Sequence, residues 1–162
     1  MKPNFNIKLI LLALLGLGGL SNAADLTLPT DASVTSGAAT INSVNGVMNI
    51  NQATDQAVIN WQTFNIGADA TVNFNQPSSS SAVLNRVISA DPSSIYGHLN
   101  SNGQVFLINP NGVLFGAGAS VDVGALFAST ANMTDANFLN GNYVFNATTV
   151  ADLINQGRIQ AG

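Results

Sequence analysis

Few side chains in this 162-residue sequence can do chemistry, and their types set narrow limits. His98 is the only histidine and there is no cysteine. A Ser-His-Asp nucleophile would have to be built on His98, and no Gly-x-Ser-x-Gly elbow supplies the serine. A lone histidine among Asn and Gly residues reads as a surface or hydrogen-bonded residue. One imidazole without a thiolate is a poor zinc site. Glycoside hydrolysis needs two carboxyl groups held across the scissile bond. The eight aspartates are the only acids, and they are scattered through turn-like stretches with no pairing pattern. Gly112 to Gly118 reads Gly-Val-Leu-Phe-Gly-Ala-Gly. With no lysine after it and no helix signalled, it is neither a phosphate loop nor a dinucleotide fingerprint. Asn132-Met133-Thr134 and Asn146-Ala147-Thr148 fit the glycosylation pattern, which chance supplies in so asparagine-rich a chain. No catalytic residue, cofactor, metal or small-molecule substrate is expected.

The polar stretch with a defined physical job is Asn109-Pro110-Asn111-Gly112, followed by Val113. Proline presets φ at the first corner of a turn, and Asn-Gly supplies positions that tolerate positive φ. The Asn109 side chain is placed to cap the same turn. Such a turn needs rigid elements on both sides, and the composition says which kind. Only 7% of residues are charged, against roughly a quarter in an ordinary soluble domain. Both lysines, Lys2 and Lys8, lie at the extreme N-terminus and there is no glutamate. The rest of the chain lacks two strong formers of exposed helix, so a mostly helical fold is excluded. Short apolar runs recur instead, bounded by Asn, Gly, Pro and Ser: Val72 and Phe74, Val105 to Ile108, Val121 and Val123, Val144, Ile154 and Ile159. These read as strands of four to six residues. Ala125 to Ser129 reads as a buried strand, Gln76 to Ser81 as a loop, Ala90 to Ser94 as a turn, and residues 129–142 as a hairpin-like excursion or cap. No helical period is evident after residue 24.

An internal repeat narrows the architecture. Ile66-Gly67-Ala68-Asp69-Ala70-Thr71-Val72-Asn73-Phe74 matches Phe115-Gly116-Ala117-Gly118-Ala119-Ser120-Val121-Asp122-Val123, 49 positions further on. That offset suits two coils of roughly 20–25 residues. A small-residue corner feeding a short apolar strand recurs at Asn102-Gly103-Gln104-Val105, Asn111-Gly112-Val113 and Gln156-Gly157-Arg158-Ile159. This is the unit of a β-solenoid, whose coils bury their faces only against neighbours. Aligned asparagines can add side-chain ladders. A β-sandwich would also give short strands, but not this repeat.

The N-terminus carries a separate signal. Lys2 and Lys8 flank the start of an apolar run from Leu9 to Leu20, and Ser21-Asn22-Ala23 supplies small residues. This reads as a secretory signal peptide over residues 1–23 with cleavage after Ala23. The run is too short to span about 30 Å of hydrocarbon as a helix. The segment from residue 24 to 162 keeps Arg86 and Arg158 against eight aspartates. So acidic a chain is unsuited to nucleic acid.

Several motifs in order then carry a family resemblance. They are Trp61-x-x-Phe64-Asn65-Ile66-Gly67, Val72-Asn73-Phe74-Asn75-Gln76-Pro77-Ser78, Ala82-Val83-Leu84-Asn85-Arg86-Val87, Asp91-Pro92-Ser93-x-Ile95-x-Gly97, Asn102 to Gly116, and Val121-x-Val123-Gly124-x-Leu126-x-Ala128-Ser129-Thr130. In this order the sequence resembles the TPS, or haemagglutination-activity, domain of filamentous-haemagglutinin-like two-partner secretion exoproteins, over residues 25–162. The resemblance implies an all-β fold: a right-handed parallel β-helix with an N-terminal cap and extra-helical hairpins. It implies a secretion-recognition and folding-nucleation role, with recognition in the periplasm by the POTRA domains of a TpsB-type outer-membrane transporter. It further implies Sec export from a Gram-negative cytoplasm and a final place at the cell surface or outside the cell. Asn109, Pro110, Asn111 and Gly112 match the family turn motif needed for structure and secretion; Asn85 and Arg86 match a second recurrent patch. Family exoproteins run far past this domain, whereas this sequence stops just after Ile159, mid-coil by its pattern, so a fragment or a truncated exoprotein is expected. Two alternatives remain. One is an adhesin module binding glycans or cell-surface receptors through Trp61, Tyr96 or Tyr143. The other is a β-helical polysaccharide lyase or hydrolase, which would need clustered Asp and Arg.

Overall fold

The computed structural model describes residues 22–147 and 151–162. Most of the expected signal peptide lies outside the described residues. So does Thr148, the last residue of the second glycosylation pattern.

The fold is nearly all β, a parallel solenoid of about three turns. Each turn lays down strands on up to three faces. The first face is a six-stranded sheet. It holds β2 (Ala39–Val44), β3 (Val47–Gln52), β5 (Thr71–Asn75), β8 (His98–Ser101), β11 (Ser120–Val123) and β14 (Arg158–Ala161). The second face holds β1 (Ser33–Ser36), β4 (Gln56–Trp61), β6 (Ala82–Val87), β9 (Gln104–Ile108) and β12 (Ala125–Ser129). The third holds β7 (Ser93–Ile95), β10 (Val113–Phe115) and β13 (Leu153–Asn155), and Ile66 joins it by a single parallel bridge to Ile95.

The strands pair in parallel from coil to coil, and like side chains stack. Met48, Val72, Leu99, Val121 and Ile159 occupy one row; all but Ile159 are buried. The sequence repeat is explained by this register: Val72 lies on Leu99 and Leu99 on Val121, so the two repeat copies sit two coils apart. Interior residues alternate with exterior ones along each strand, because strand side chains point to opposite faces in turn. Corners bring backbone from adjacent coils together. A Cβ on Gly97 would lie 2.2 Å from the Gly67 carbonyl oxygen and 2.3 Å from that of Ala70. Backbone approach this close admits only glycine.

The N-terminal residues close the first coil. Thr30 bridges Thr63, and β1 runs antiparallel to β4. The hairpin of β2 and β3 turns at Asn45 (φ 50°) and Gly46 (φ 76°), an Asn-Gly pair with the positive φ values a type I′ turn requires. Leu28, Val34, Ala39 and Ile41 pack against the core from this side. A clasp fastens the start of the cap. The Asp25 N–H donates to Asp69 Oδ2 and the Asp69 N–H to the Asp25 carbonyl. The Thr27 hydroxyl, and then the Thr27 N–H, hold the Asp25 carboxyl below its ordinary range. Because the folded-state value is lowered, this contribution is present above the usual carboxylate range and is lost as pH falls through the lowered value.

Some sequence expectations are corrected. Val144 is not in a strand; residues 142–147 are irregular apart from one bridge between Asn132 and Asn146. Ser93 and Ser94 belong to β7 rather than to the preceding turn. The excursion after β12 contains a helix, α1 (Asp135–Leu139), started by the Thr134 hydroxyl accepting from the Asn137 N–H. At five residues it is too short to leave a helical period in the sequence. Ala125 to Ser129 is a strand, as expected, but only half-buried.

Candidate functional site

The Asn109–Gly112 turn leaves β9 at a corner and feeds β10. The Gly112 N–H donates to the Asn109 carbonyl oxygen at 3.1 Å, which closes a four-residue turn. Gly112 has φ 118°, whereas Asn111 does not have positive φ. Only one of the two expected positive-φ positions is used, and Pro at the second place with Gly at the fourth is the type I pattern. Asn109 Oδ1 accepts from the Asn111 N–H at 3.0 Å, so the side chain caps the turn as expected. The same carboxamide also reaches the previous coil. Its Nδ2 donates to the Asp91 carbonyl at 2.9 Å and to Ser93 Oγ at 3.0 Å. Asn109 is fully buried, and no polar atom of it is left over for an outside partner to recognise. Asn111 is exposed, and its Nδ2 donates to the Ser89 carbonyl at 2.9 Å. The motif is therefore a strut between coils. The sequence shows its turn, but not its grip on residues 89–93, because that depends on how the coils stack.

Asn85 and Arg86 are adjacent on β6 and point opposite ways. Asn85 faces the core, fully buried, beside Ile59 and Leu107 in the stack. Its Oδ1 accepts from Trp61 Nε1 at 2.9 Å and its Nδ2 donates to the Phe106 carbonyl at 3.2 Å. Both polar atoms of this buried carboxamide therefore have a partner, as burial requires. Trp61 is likewise wholly buried, which removes it as a glycan platform; Tyr96 and Tyr143 remain exposed.

Arg86 faces outward and holds the excursion. Its guanidinium meets Asp135 at 2.7 Å, Asn132 Oδ1 at 3.1 Å, Asn60 Oδ1 at 3.3 Å and the Met133 carbonyl at 2.6 Å. Beneath that clamp lies an outward apolar row, Val58, Leu84, Phe106 and Phe127, covered by Met133 and Phe138. Phe106 and Phe127 stack at 4.2 Å. A planar fork with several fixed acceptors is a task lysine does not fulfil. Substituting Arg86→Lys is expected to loosen residues 130–146 by about 1–2 kcal/mol, since charge-assisted bonds contribute roughly that each. Limited proteolysis would show faster cleavage there, with cleavage in the coils unchanged.

His98 is exposed on the outer side of β8. Among the described residues no group of three or more His, Cys, Asp or Glu side chains gathers in the arrangement of a metal site. Their one ion pair is Arg86 with Asp135. Ala23 is exposed and precedes every element.

The chain thus folds as a parallel β-helix with an antiparallel cap, a strut turn at one corner and a clamped excursion. The chain belongs to the TPS secretion domain family, whose model matches residues 23–162. It is 35% identical over 144 residues to a heme/hemopexin-binding protein of Haemophilus influenzae, covering 87% of this chain and 16% of the relative. A second heme/hemopexin-binding protein of that species is 39% identical over 102 residues, covering 63% of this chain and 11% of the relative. The chain thus spans about a sixth or less of the relatives it matches. Among solved structures, the HMW1 secretion domain of Haemophilus influenzae superposes with a TM-score of 0.77 at 38% identity. That match covers 80% of this chain and 35% of the other. The segment is a TPS secretion domain of a two-partner secretion exoprotein, and its relatives are secreted exoproteins of Gram-negative bacteria.

Proposed function

We propose that this domain has no enzymatic activity and acts as the recognition and folding-nucleation head of its exoprotein. It passes through the periplasm after Sec export and cleavage behind Ala23, and the POTRA domains of a TpsB-type outer-membrane transporter bind it there. The observation that carries the reading is the family match over residues 23–162. Physical features support it. A chain without cysteine forms no disulfide that would block threading. Stacked coils let folding spread from a completed end. The cap also offers strand edges: β1 ends one sheet and β2 ends another.

A strand from the transporter can pair with such an edge, with main-chain hydrogen bonds supplying affinity. The Ala53 N–H donates to the Ala38 carbonyl, so by antiparallel alternation the even-numbered positions of β2 bond to β3 and the odd-numbered ones point outward. Ser43 is exposed and outward in this sense. Ser43→Pro removes an outward donor from an edge strand, where proline is tolerated. Its expected effect is at least a tenfold loss of affinity for the isolated POTRA pair, with thermal unfolding unchanged. Unchanged affinity would sink edge pairing on β2. Export that continues without any transporter would sink the recognition role itself, and leave the glycan- or receptor-binding adhesin reading in its place.

A further inference from the structure

The outer side of the six-stranded sheet carries polar side chains that neither the core nor the cap uses. Asn42, Asn49, Asn73, Asn100, Asp122 and Gln160 stand opposite one another on successive strands. Asn73 Nδ2 donates to Asn49 Oδ1 at 3.1 Å, and Asn100 Nδ2 to Asn73 Oδ1 at 3.0 Å. Beside this row Asn75 Nδ2 donates to Asn51 Oδ1 at 2.9 Å, and Gln76 Nε2 to Gln52 Oε1 at 3.1 Å. All four bonds run the same way, with the donor on the later coil and the acceptor on the earlier one. The polarity leaves Asn100 Oδ1 without a donor from its own ladder, at the side where the next strand places Asp122. An ionised carboxylate only accepts. Asp122 is exposed and meets no donor among the described residues. Two acceptors therefore occupy neighbouring register positions on strands about 4.8 Å apart. They border an open groove of about 390 Å³ lined also by Asn73, Asn75, Gln76 and Asn102.

We propose that this groove binds a neutral, polyhydroxylated glycan. Asn100 Oδ1 and the Asp122 carboxylate accept from neighbouring sugar hydroxyls, and the second N–H of Asn73 and of Asn75 donates to sugar oxygens. Asparagine at position 122 would have continued the ladder. Aspartate ends the run of bonds that joins Asn49, Asn73 and Asn100, and such local breaks concentrate at functional sites. The amides that flank the break are already fixed by their neighbours, so little side-chain entropy is lost on binding. The formal net charge of −4 and the Asp122 carboxylate argue against a polyanion. Calcium takes six to eight oxygen ligands, and the groove holds one carboxylate.

The test is an NMR titration of the full chain with four neutral hexasaccharides: cellohexaose, maltohexaose, mannohexaose and chitohexaose. The expected result is movement of the Asn73, Asn75 and Asn100 side-chain amide signals with at least one of them. Asp122→Asn is expected to weaken that binding about tenfold while raising the melting temperature, because the new amide completes the ladder. Asp122→Ala should weaken binding as much with no gain in stability. The proposal is overturned if all four sugars leave the amides unmoved at about 10 mM, an affinity below which a site is negligible. It is equally overturned if Asp122→Asn binds as well as the wild type, if Asp122→Asn melts lower, or if EDTA abolishes binding.

Discussion

Asn109→Ala is expected to lower the melting temperature by roughly 10 °C and to reduce transporter-dependent export in proportion. The substitution deletes a buried carboxamide that serves three groups: the Asn111 N–H, the Asp91 carbonyl and Ser93 Oγ. A buried polar group left without a partner costs about 1–3 kcal/mol. Ser93 is fully buried, and Asp91 is on an exposed residue that water can reach. A total of about 3–4 kcal/mol is therefore reasonable, and at roughly 2–4 °C per kcal/mol for a chain of this size the shift is near 10 °C. Asn109→Asp keeps the acceptor for Asn111 and can accept from Ser93, but it sets an oxygen against the Asp91 carbonyl, so it should fall between. Asn111→Ala removes an exposed bond to the Ser89 carbonyl and a long one, 3.4 Å, to Asn109 Oδ1, and should cost about 1 kcal/mol or less. The two motif asparagines are thus unequal, which differential scanning calorimetry and export assays on the single variants can separate. If Asn111→Ala stops export while the fold melts normally, that side chain is a recognition element and the strut account of the motif is incomplete.

The contrast between these asparagines also marks what the sequence could reveal. The solenoid was legible because its coils repeat: the 66–74 and 115–123 segments match in sequence and stack two coils apart. Turn chemistry at 109–112 was legible because Pro, Asn and Gly act locally. Which coil the Asn109 amide would grip was not, since it depends on register between strands far apart in sequence. The same holds for Arg86. Nothing near residue 86 in the sequence indicates that Asp135, Asn132 and Met133 will meet it. The excursion they belong to read as a hairpin because its single helical turn is too short for periodicity. The Asn45-Gly46 hairpin of the cap was a readable signal: an Asn-Gly pair flanked by Val44 and Val47. Ladder polarity, and with it the acceptor pair at Asn100 and Asp122, emerges only when side-chain amides are oriented by their partners.

Asn85→Asp is expected to be the most damaging isosteric change in the molecule at neutral pH, and to be repaired by acid. The side chain is fully buried between Trp61 and the Phe106 carbonyl. A carboxylate of the same shape keeps the bond from Trp61 Nε1, but it faces the Phe106 oxygen with lone pairs where the amide presented N–H. Burial and that lost donor both disfavour the charged form, so the folded-state pKa rises above the unfolded value of about 3.9. The sign follows from linkage. Below about pH 3.9 both states are protonated, the carboxyl O–H donates to Phe106, and the variant is close to the wild type. Above it the unfolded chain ionises first, and stability falls by about 1.4 kcal/mol per pH unit until the folded pKa is reached. A rise of three units would cost about 4 kcal/mol at pH 7, a large part of the 5–15 kcal/mol typical of a whole domain. Asn85→Leu supplies the control. It strands the Trp61 N–H and the Phe106 carbonyl at every pH, so its deficit relative to the wild type should not depend on pH. Urea unfolding of the two variants and the wild type between pH 4 and pH 8 tests the account. A deficit for Asn85→Asp that stays constant across that range would mean that water reaches position 85, and that the Trp61–Asn85–Phe106 bridge is not the dry strut that joins the first three coils on this face.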